Sequence, residues 1–357
     1  MEDLWTYLKE EYGKGRPIVL YGTGDGADKI LARLEEDNIE VSGVFASDGF
    51  VRDRSYRGMK VESFDALTSR LTDPVVLVSF GSSRPEVISA IDGIDSRSEC
   101  YAPDVPVCGG EVFDKTFFEK HKKEINEVTA LLADDSSRIC MDSLIKARLT
   151  GKISYLHDAE CTPADIFSLI ELPADAVFFD LGAYNGDTVR EYLSRFPSIK
   201  DIVAVEPEPH NHKKLEKTAS EISSGRDIRV ISFRALISDS CHESSVTASA
   251  RGRGTRGDPS QAKTIATEAV TVDHLAEITS LVPDLIKFDI EGFETAGIRG
   301  AEKTIRDHRP IMRIACYHKS EDIFRIPLEV LKINSSYRVF LRHLPSVPGW
   351  DTDFVFI

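Results

Sequence analysis

Two runs of this chain put carboxylates and glycines where a small molecule could be held. In VFFDLGAYNGDTVREYL (Val177–Leu193) an apolar run closes on Asp180, Gly182 and Gly186 follow, and a helical pattern opens at Asp187. The next apolar run, DIVAVEP, closes on Glu206. Glycine removes the Cβ where a ligand has to approach the backbone. The N–H groups near Gly186 and Asp187 start a helix and have no intrahelical partner. A diphosphate would be drawn to that positive end, but Asp180 and Asp187 repel it. Two acids suit a ligand with a cationic amino group and a sulfonium. Glu206 at a strand tip can accept from both hydroxyls of an adenosine ribose. Asp180, Gly182, Gly186 and Glu206 therefore describe S-adenosylmethionine better than a dinucleotide.

A second set of groups could move a proton. KFDIEG brings Asp289 and Glu291 to the end of another apolar run, and positions i and i+2 of a strand share a face. Such a pair could raise one another's pKa and yield a general base, or could hold a divalent cation. Lys287, one step back on that face, could pair with one of them. His318 in CYHKS ends the following strand and is either a general base or a surface cap on the next helix. His343 in LRHL reads as a half-buried hairpin residue. His210 and His212 resemble a metal pair only in spacing, since no carboxylate or thiol completes a set, and no metal ligands are assigned.

The remaining candidates bind anions. Arg251, Arg253 and Arg256 in ASARGRGTRGDPSQ could close over a phosphate or uronate, or form a solvated hairpin loop. YGTGDGADKI carries Gly22, Gly24 and Gly26, with Asp48 at the tip of the next strand. The third glycine comes one residue early for a dinucleotide fingerprint, so the fit is partial. Arg52, Arg54 and Arg57 line the polar loop beside it, as anion ligands or as solvated side chains.

These residues need two sheets to position them. Apolar runs at PIVLY, IEVSGVFA and PVVLVSF alternate with helical patterns, which predicts a small Rossmann-like accessory domain over residues 1–110. Residues 111–172 are helical, charged and strand-free, a connector. A second alternating pattern fills 173–357, interrupted by a polar segment from Ser238 to about Ala266 and closed by YRVFLRHL and DTDFVFI as a terminal hairpin. The fold class is α/β: two Rossmann-like domains, the second a mostly parallel sheet with an antiparallel addition.

Composition narrows the partners. The 357 residues carry a net charge of -15, which argues against nucleic acid or an anionic membrane. The six cysteines form no CxxC and fit reduced thiols. No apolar segment approaches spanning length, and MEDLWTYLKEEYGKG reads as an acidic amphipathic turn, not a signal peptide. A cytoplasmic protein is expected, with a small-molecule acceptor (a sugar or an anionic metabolite) as partner, and self-association as a further one.

FFDLGAYNGDTV, VAVEPEP and above all VDHL…DLIKFDIEGFETAGIRGAEKTI resemble, in that order, the FkbM family of methyltransferases over about residues 176–345. That resemblance implies a class I S-adenosylmethionine-dependent fold. It places the cofactor on Asp180, Gly182, Ala183, Gly186, Asp187 and Glu206, with Ala235 near the adenine. It brings Asp289 and Glu291 to the mouth of the site, so Asp289, Glu291 and His318 form the expected catalytic set. O-methylation of a hydroxyl on a sugar or similar small molecule is the leading expectation. The alternatives are an NAD-dependent oxidoreductase using the 22–26 turn, and a non-catalytic nucleotide-sugar-binding protein.

Overall fold

The computed structural model describes residues 3–47, 49, 51, 54–225, 227–248 and 263–357. Asp48, Arg52, Arg251, Arg253 and Arg256 lie outside the described residues. The chain divides into two compact units, neither of them one continuous stretch. Among the described residues no helix is long and apolar enough to cross a membrane.

The first unit holds Met1–Glu124, Asp135–Thr162 and His343–Thr352. Its strands are β1 (Ile18–Tyr21), β2 (Gly43–Phe45), β3 (Ser55–Tyr56), β4 (Met59–Glu62), β5 (Val75–Val78) and β6 (Cys100–Tyr101), in the order β3-β4-β2-β1-β5-β6. All pairs are parallel except β3 with β4. Every residue of IVLY and VVLV is buried, as continuous apolar runs are when helices cover both sheet faces. The helices are α1 (Leu4–Gly13), α2 (Asp25–Glu36), α3 (Phe64–Arg70), α4 (Pro85–Asp95), α5 (Lys115–Leu131) up to Glu124, α6 (Asp135–Thr150) and α7 (Ile153–Ala159). Helix α2 buries Ala27, Ile30 and Leu34, and α4 buries Ile88, Ile91 and Ile94, one stripe each at helical spacing.

The glycine turn after β1 is closed by the end of β5. A Cβ on Gly22 would lie 2.5 Å from the Phe80 ring, and one on Gly26 would lie 2.3 Å from the Ser79 carbonyl oxygen. These glycines let two strand ends meet. Arg57 pairs with Asp28 at 2.8 Å on the first turns of α2, so its guanidinium is engaged within the protein.

The second unit holds Ile125–Asp134, Pro163–Arg342 and Asp353–Ile357. After α8 (Pro163–Phe167) come β7 (Ala176–Leu181), α9 (Asp187–Arg195), β8 (Ile199–Val205), α10 (Pro209–Ser223) and β9 (Arg229–Phe233). A small sheet follows, with β10 (Ala235–Ile237), β11 (His242–Ala248) and β12 (Lys263–Val270) in the order β10-β12-β11. The chain continues through α11 (Val272–Thr279), β13 (Leu285–Phe288), α12 (Glu294–Arg299), α13 (Glu302–His308), β14 (Ile311–Ala315), α14 (Asp322–Ile333), β15 (Val339–His343) and β16 (Thr352–Phe356). The main sheet runs β15-β16-β14-β13-β7-β8-β9, parallel from β14 to β9, with β16 antiparallel to β14. The α/β class, with an antiparallel addition to a parallel sheet, is what the alternating pattern predicts.

Three local features of this unit go beyond the alternating pattern. The polar segment from Ser238 to about Ala266 holds paired strands among its described residues: β11 and β12 pair antiparallel from His242↔Ala269 to Ala248↔Lys263. HESSVTA has only Val246 and Ala248 as apolar residues, and those of KTIATEAV do not alternate strictly, so the pair leaves little hydrophobic period to read. IRVISFRAL is two strands in two sheets, broken at Arg234. FETAGIRGAEKTI is two helices, broken at Gly300, where a Cβ would come 2.1 Å from the Ser238 carbonyl oxygen.

Candidate active site

In the main sheet β7 has β8 on one side and β13 on the other, and the connections leave in opposite directions. Open parallel sheets bind ligands at such a switch point, beyond the carboxyl ends of the strands. The tips of β7, β8 and β13 deliver Asp180, Glu206 and Asp289 to that edge. The Asp289 amide donates to the Leu181 carbonyl at 3.0 Å, and the Gly182 and Ala183 amides both donate to the Val205 carbonyl at 2.9 Å.

A row of charges crosses the sheet just behind this edge. Asp180 on β7 stands in register with Lys287 on β13, which stands in register with Arg313 on β14. Arg313 donates to Asp353 at 2.8 and 2.6 Å and to the Tyr192 hydroxyl at 3.3 Å. Lys287 donates to Asp289 at 3.0 Å, and burial that would deprotonate it is outweighed by Asp289 and Asp180, which hold its pKa above the ordinary lysine value. Asp180 differs from the others. Both of its carboxylate oxygens are buried with no hydrogen-bond partner. Burial pushes its pKa up to about 7, only partly offset by Lys287 and reinforced by Asp187 and Asp289. A buried acceptor without a donor costs about 1–3 kcal/mol, so the site favours a cationic or hydrogen-bonding ligand at Asp180.

Glu206 is also buried, and its two oxygens accept from the Tyr184 amide at 3.0 Å and the Glu208 amide at 2.9 Å. Burial raises its pKa to about 7 against those two donors. The Asn211 side chain is a third donor, so of the about four lone-pair sites of the carboxylate one remains for a ligand hydroxyl. Gly182 and Gly186 have φ of +90° and +85°. Their Cβ positions are not open to a ligand, which corrects the reason first given for them. A Cβ on Gly182 would lie 1.8 Å from the Asp289 carbonyl oxygen, and one on Gly186 would lie 2.6 Å from Thr218 Cγ2. Gly182 brings two backbone segments together, Gly186 lets the turn pack on the Thr218 and Leu215 side chains of α10, and both approaches shape the edge. Ala183 is buried in the same turn. Asp187 is exposed at the first turn of α9, its Oδ1 accepting from the Thr188 amide at 2.9 Å. Ala235 is buried, two residues past Phe233, whose carbonyl accepts from the Glu206 amide at 3.1 Å.

Past β13 the expected shared face does not exist. The strand ends at Phe288, and Glu291 sits in a turn with φ +56°. Asp289 and Glu291 are gathered instead by His318. That imidazole is buried, with Nδ1 2.9 Å from Glu294 Oε1 and Nε2 3.6 Å from Asp289 Oδ1 and 3.8 Å from Glu291 Oε2. Its burial excludes the surface-cap reading. Burial lowers its pKa, but the Glu294 contact, then Asp289 and Glu291, prevail and lift it to about 9. At neutral pH it is an imidazolium. Asp289 goes the other way: burial is overcome by Lys287, His318 and the Tyr317 hydroxyl, which donates at 3.2 Å, leaving its pKa at about 2. Asp289 is therefore not raised by a neighbouring acid, and it is a permanent anion, a weak base. Among the described residues no three His, Cys, Asp or Glu side chains are arranged to hold a metal ion.

The other histidines are elsewhere. His343 is fully buried in the first unit, bonded through Nδ1 to Thr352 Oγ1 at 2.8 Å and pushed down to about 4 by burial. His210 is exposed at the start of α10, and burial lowers the pKa of His212. Sequence reasoning passed over Glu294, which is 0% exposed and accepts from the Ile290 amide at 2.9 Å and the Gly292 amide at 3.4 Å. The sequence signal was the second acid of EGFE, three residues after Glu291.

Residues 180–342 match the family model described as methyltransferase FkbM domain. Among solved structures, the chain resembles methyltransferase FkbM from Methylobacillus flagellatus KT, with a TM-score of 0.76 and 19% identity over 100% of this chain and 94% of that one. At that identity the likeness speaks for the fold. Weaker likenesses include precorrin-6y C5,15-methyltransferase from Geobacter metallireducens GS-15 (TM-score 0.33, 12% identity, 54% of this chain, 83% of that one). Another is fibrillarin from Aeropyrum pernix with bound S-adenosyl-L-methionine (TM-score 0.34, 15% identity, 54% and 72%). Both are too remote to bear on this site. No curated protein matches the chain. The family match and the α/β sheet around Asp180 make residues 180–342 a methyltransferase domain of the FkbM family.

Proposed function

We propose that this domain uses S-adenosylmethionine to methylate a hydroxyl group on a sugar or similar small molecule. The observation that carries the reading is Asp180, a carboxylate at the switch point with both oxygens buried and unbonded. An amino cation would supply donors to those two oxygens, and Glu206, which already accepts from two amides and the Asn211 side chain, can take a ribose hydroxyl on its remaining lone pair. When bound, the cofactor supplies a methyl group on a positively charged sulfur. The chain's own residues align and deprotonate. Asp289, fixed by Lys287 and Tyr317, offers an ionised acceptor that can orient a hydroxyl. His318 can take the hydroxyl proton at Nε2 once that nitrogen is unprotonated. Asp187, Asp289 and Glu291 make the described mouth acidic, which favours a neutral, polyhydroxylated acceptor over an anion.

Calorimetric titration with S-adenosylhomocysteine tests the cofactor half. Wild type should bind, and D180N and E206A should each weaken binding at least about tenfold, or about 1.4 kcal/mol. No binding to wild type rejects the reading. The acceptor half is tested by radiolabelled methyl transfer to hydroxyl and amine panels. Transfer only to amines would remove the O-methyl assignment.

A further inference from the structure

We infer that Glu294 is the positioning residue of this site: its carboxylate holds His318 by Nδ1, so that Nε2 alone is presented to the acceptor between Asp289 and Glu291. The inference rests on the proposed methyl transfer for its purpose, but its geometry stands apart from any ligand. Glu294 is the first residue of α12, completely buried, and its Oε1 is pinned by the amides of the turn that carries Glu291. That same oxygen lies 2.9 Å from His318 Nδ1. The approach is too bent for a linear hydrogen bond, and Nδ1 and Glu294 Oε2 are both buried without a well-aligned partner. A small ring rotation would straighten the contact, as catalytic hydrogen bonds often do when a site fills. One carboxylate thus couples the turn to the imidazole: shaping Glu291 and aiming His318 are a single act.

The charges around the ring are named from every side. Glu294 faces Nδ1 from α12, and Asp289 and Glu291 face Nε2 from the turn after β13. The Tyr317 ring lies tilted against it, centroids 4.3 Å apart, with its hydroxyl on Asp289. From the start of α14 Asp322 accepts the Lys319 amide at 2.8 Å, Lys319 Nζ is spent on the Gly292 carbonyl, and Lys287 is spent on Asp289. The acids outnumber the uncommitted cations, so the ring holds its second proton tightly. In the reaction the acceptor O–H bond would break, its proton passing to neutral Nε2 and its electron pair forming the new bond to the methyl carbon, while the other ring proton stays on Nδ1, facing Glu294. His318 then returns that proton to solvent.

The test is NMR of full-length protein with 15N-labelled histidine and no cofactor or acceptor, with the His318 signal identified by its loss in H318Q. In wild type the ring should titrate above pH 8, and its neutral form should carry the proton on Nδ1. In E294Q the pKa should fall by at least about one unit, a tenfold loss of proton affinity, with the rising limb of kcat moving down by the same amount and KM for the acceptor unchanged. E294A should lower kcat further than E294Q. A wild-type pKa below 7, or a neutral ring protonated on Nε2, overturns the inference even if E294Q does not fold. A folded E294Q with an unmoved His318 pKa does so too. Because the NMR needs no ligand, it can fail while methyl transfer survives, and methyl transfer can fail while it holds.

Discussion

Lys287→Met offers a stringent test of the charge row behind the active site. Lys287 is buried, donates to Asp289 at 3.0 Å, and stands in register with Asp180, whose oxygens have no hydrogen-bond partner. The neighbouring cation, Arg313, is already engaged by Asp353. Methionine keeps the length and removes the charge, leaving two carboxylates without their shared partner. Breaking a buried pair from one side costs about 3–5 kcal/mol. The pH dependence makes the prediction specific. In the native protein Asp289 sits near 2, below its ordinary 3.8, so its contribution is complete above pH 3.8 and fades as pH falls toward 2. In the variant the folded carboxyls sit above their unfolded values, so the native state binds more protons and stability falls as pH rises through about 4 to 7. Urea denaturation should give a deficit of about 3–5 kcal/mol at pH 7.5 that shrinks by about 1–2 kcal/mol at pH 5. A deficit below about 1 kcal/mol, or one that does not change between these pH values, refutes the assignment of Lys287 as the shared counter-ion.

Gly182→Ala should destabilise by about 2–5 kcal/mol in the absence of ligand, from positive φ and a collision with backbone, whereas Gly24→Ala, also at positive φ but with nothing within 4 Å, should cost only about 1 kcal/mol; equal thermal shifts would contradict the packing role. Asp180→Asn should stabilise the ligand-free protein by on the order of 2 kcal/mol at pH 8, since a buried acid lifted to about 7 opposes folding once ionised, and should lose that advantage by pH 4. A chemical melt showing no gain at pH 8 would mean that the carboxylate finds donors in solution. The rate of methyl transfer should climb with pH until His318 loses its proton near 9, and a profile already flat at pH 6 would exclude that ring as the base.

The strand tips were legible because an acid ending an apolar run is a local signal: Asp180, Glu206 and Asp289 all close buried runs and all arrive at one sheet edge. Their states were not legible. Asp180 and Asp289 look alike in sequence, yet the first is lifted to about 7 and the second lowered to about 2, because Lys287 and Tyr317 donate hydrogen bonds to Asp289 while Asp180 has Lys287 only as a nearby charge. The purpose of Gly182 depends on a carbonyl over a hundred residues away, which no local pattern encodes. Glu294 reads as one more surface acid in a helix start, and only long-range packing buries it against His318. The β11–β12 ribbon escaped because its two strands carry little hydrophobic period.

Trp350 belongs to the turn His343–Thr352 in the first unit, and its ring occupies the space a Cβ on Gly81 would need, 2.1 Å away. Cutting the gene between the two α/β patterns would therefore strip the amino-terminal piece of an aromatic lid on its own β5 tip. The other piece would keep that indole with no glycine to cover. Anyone wishing to study the methyltransferase half alone should expect a sticky loop, and should replace residues 343–352 with a short polar turn before judging its solubility.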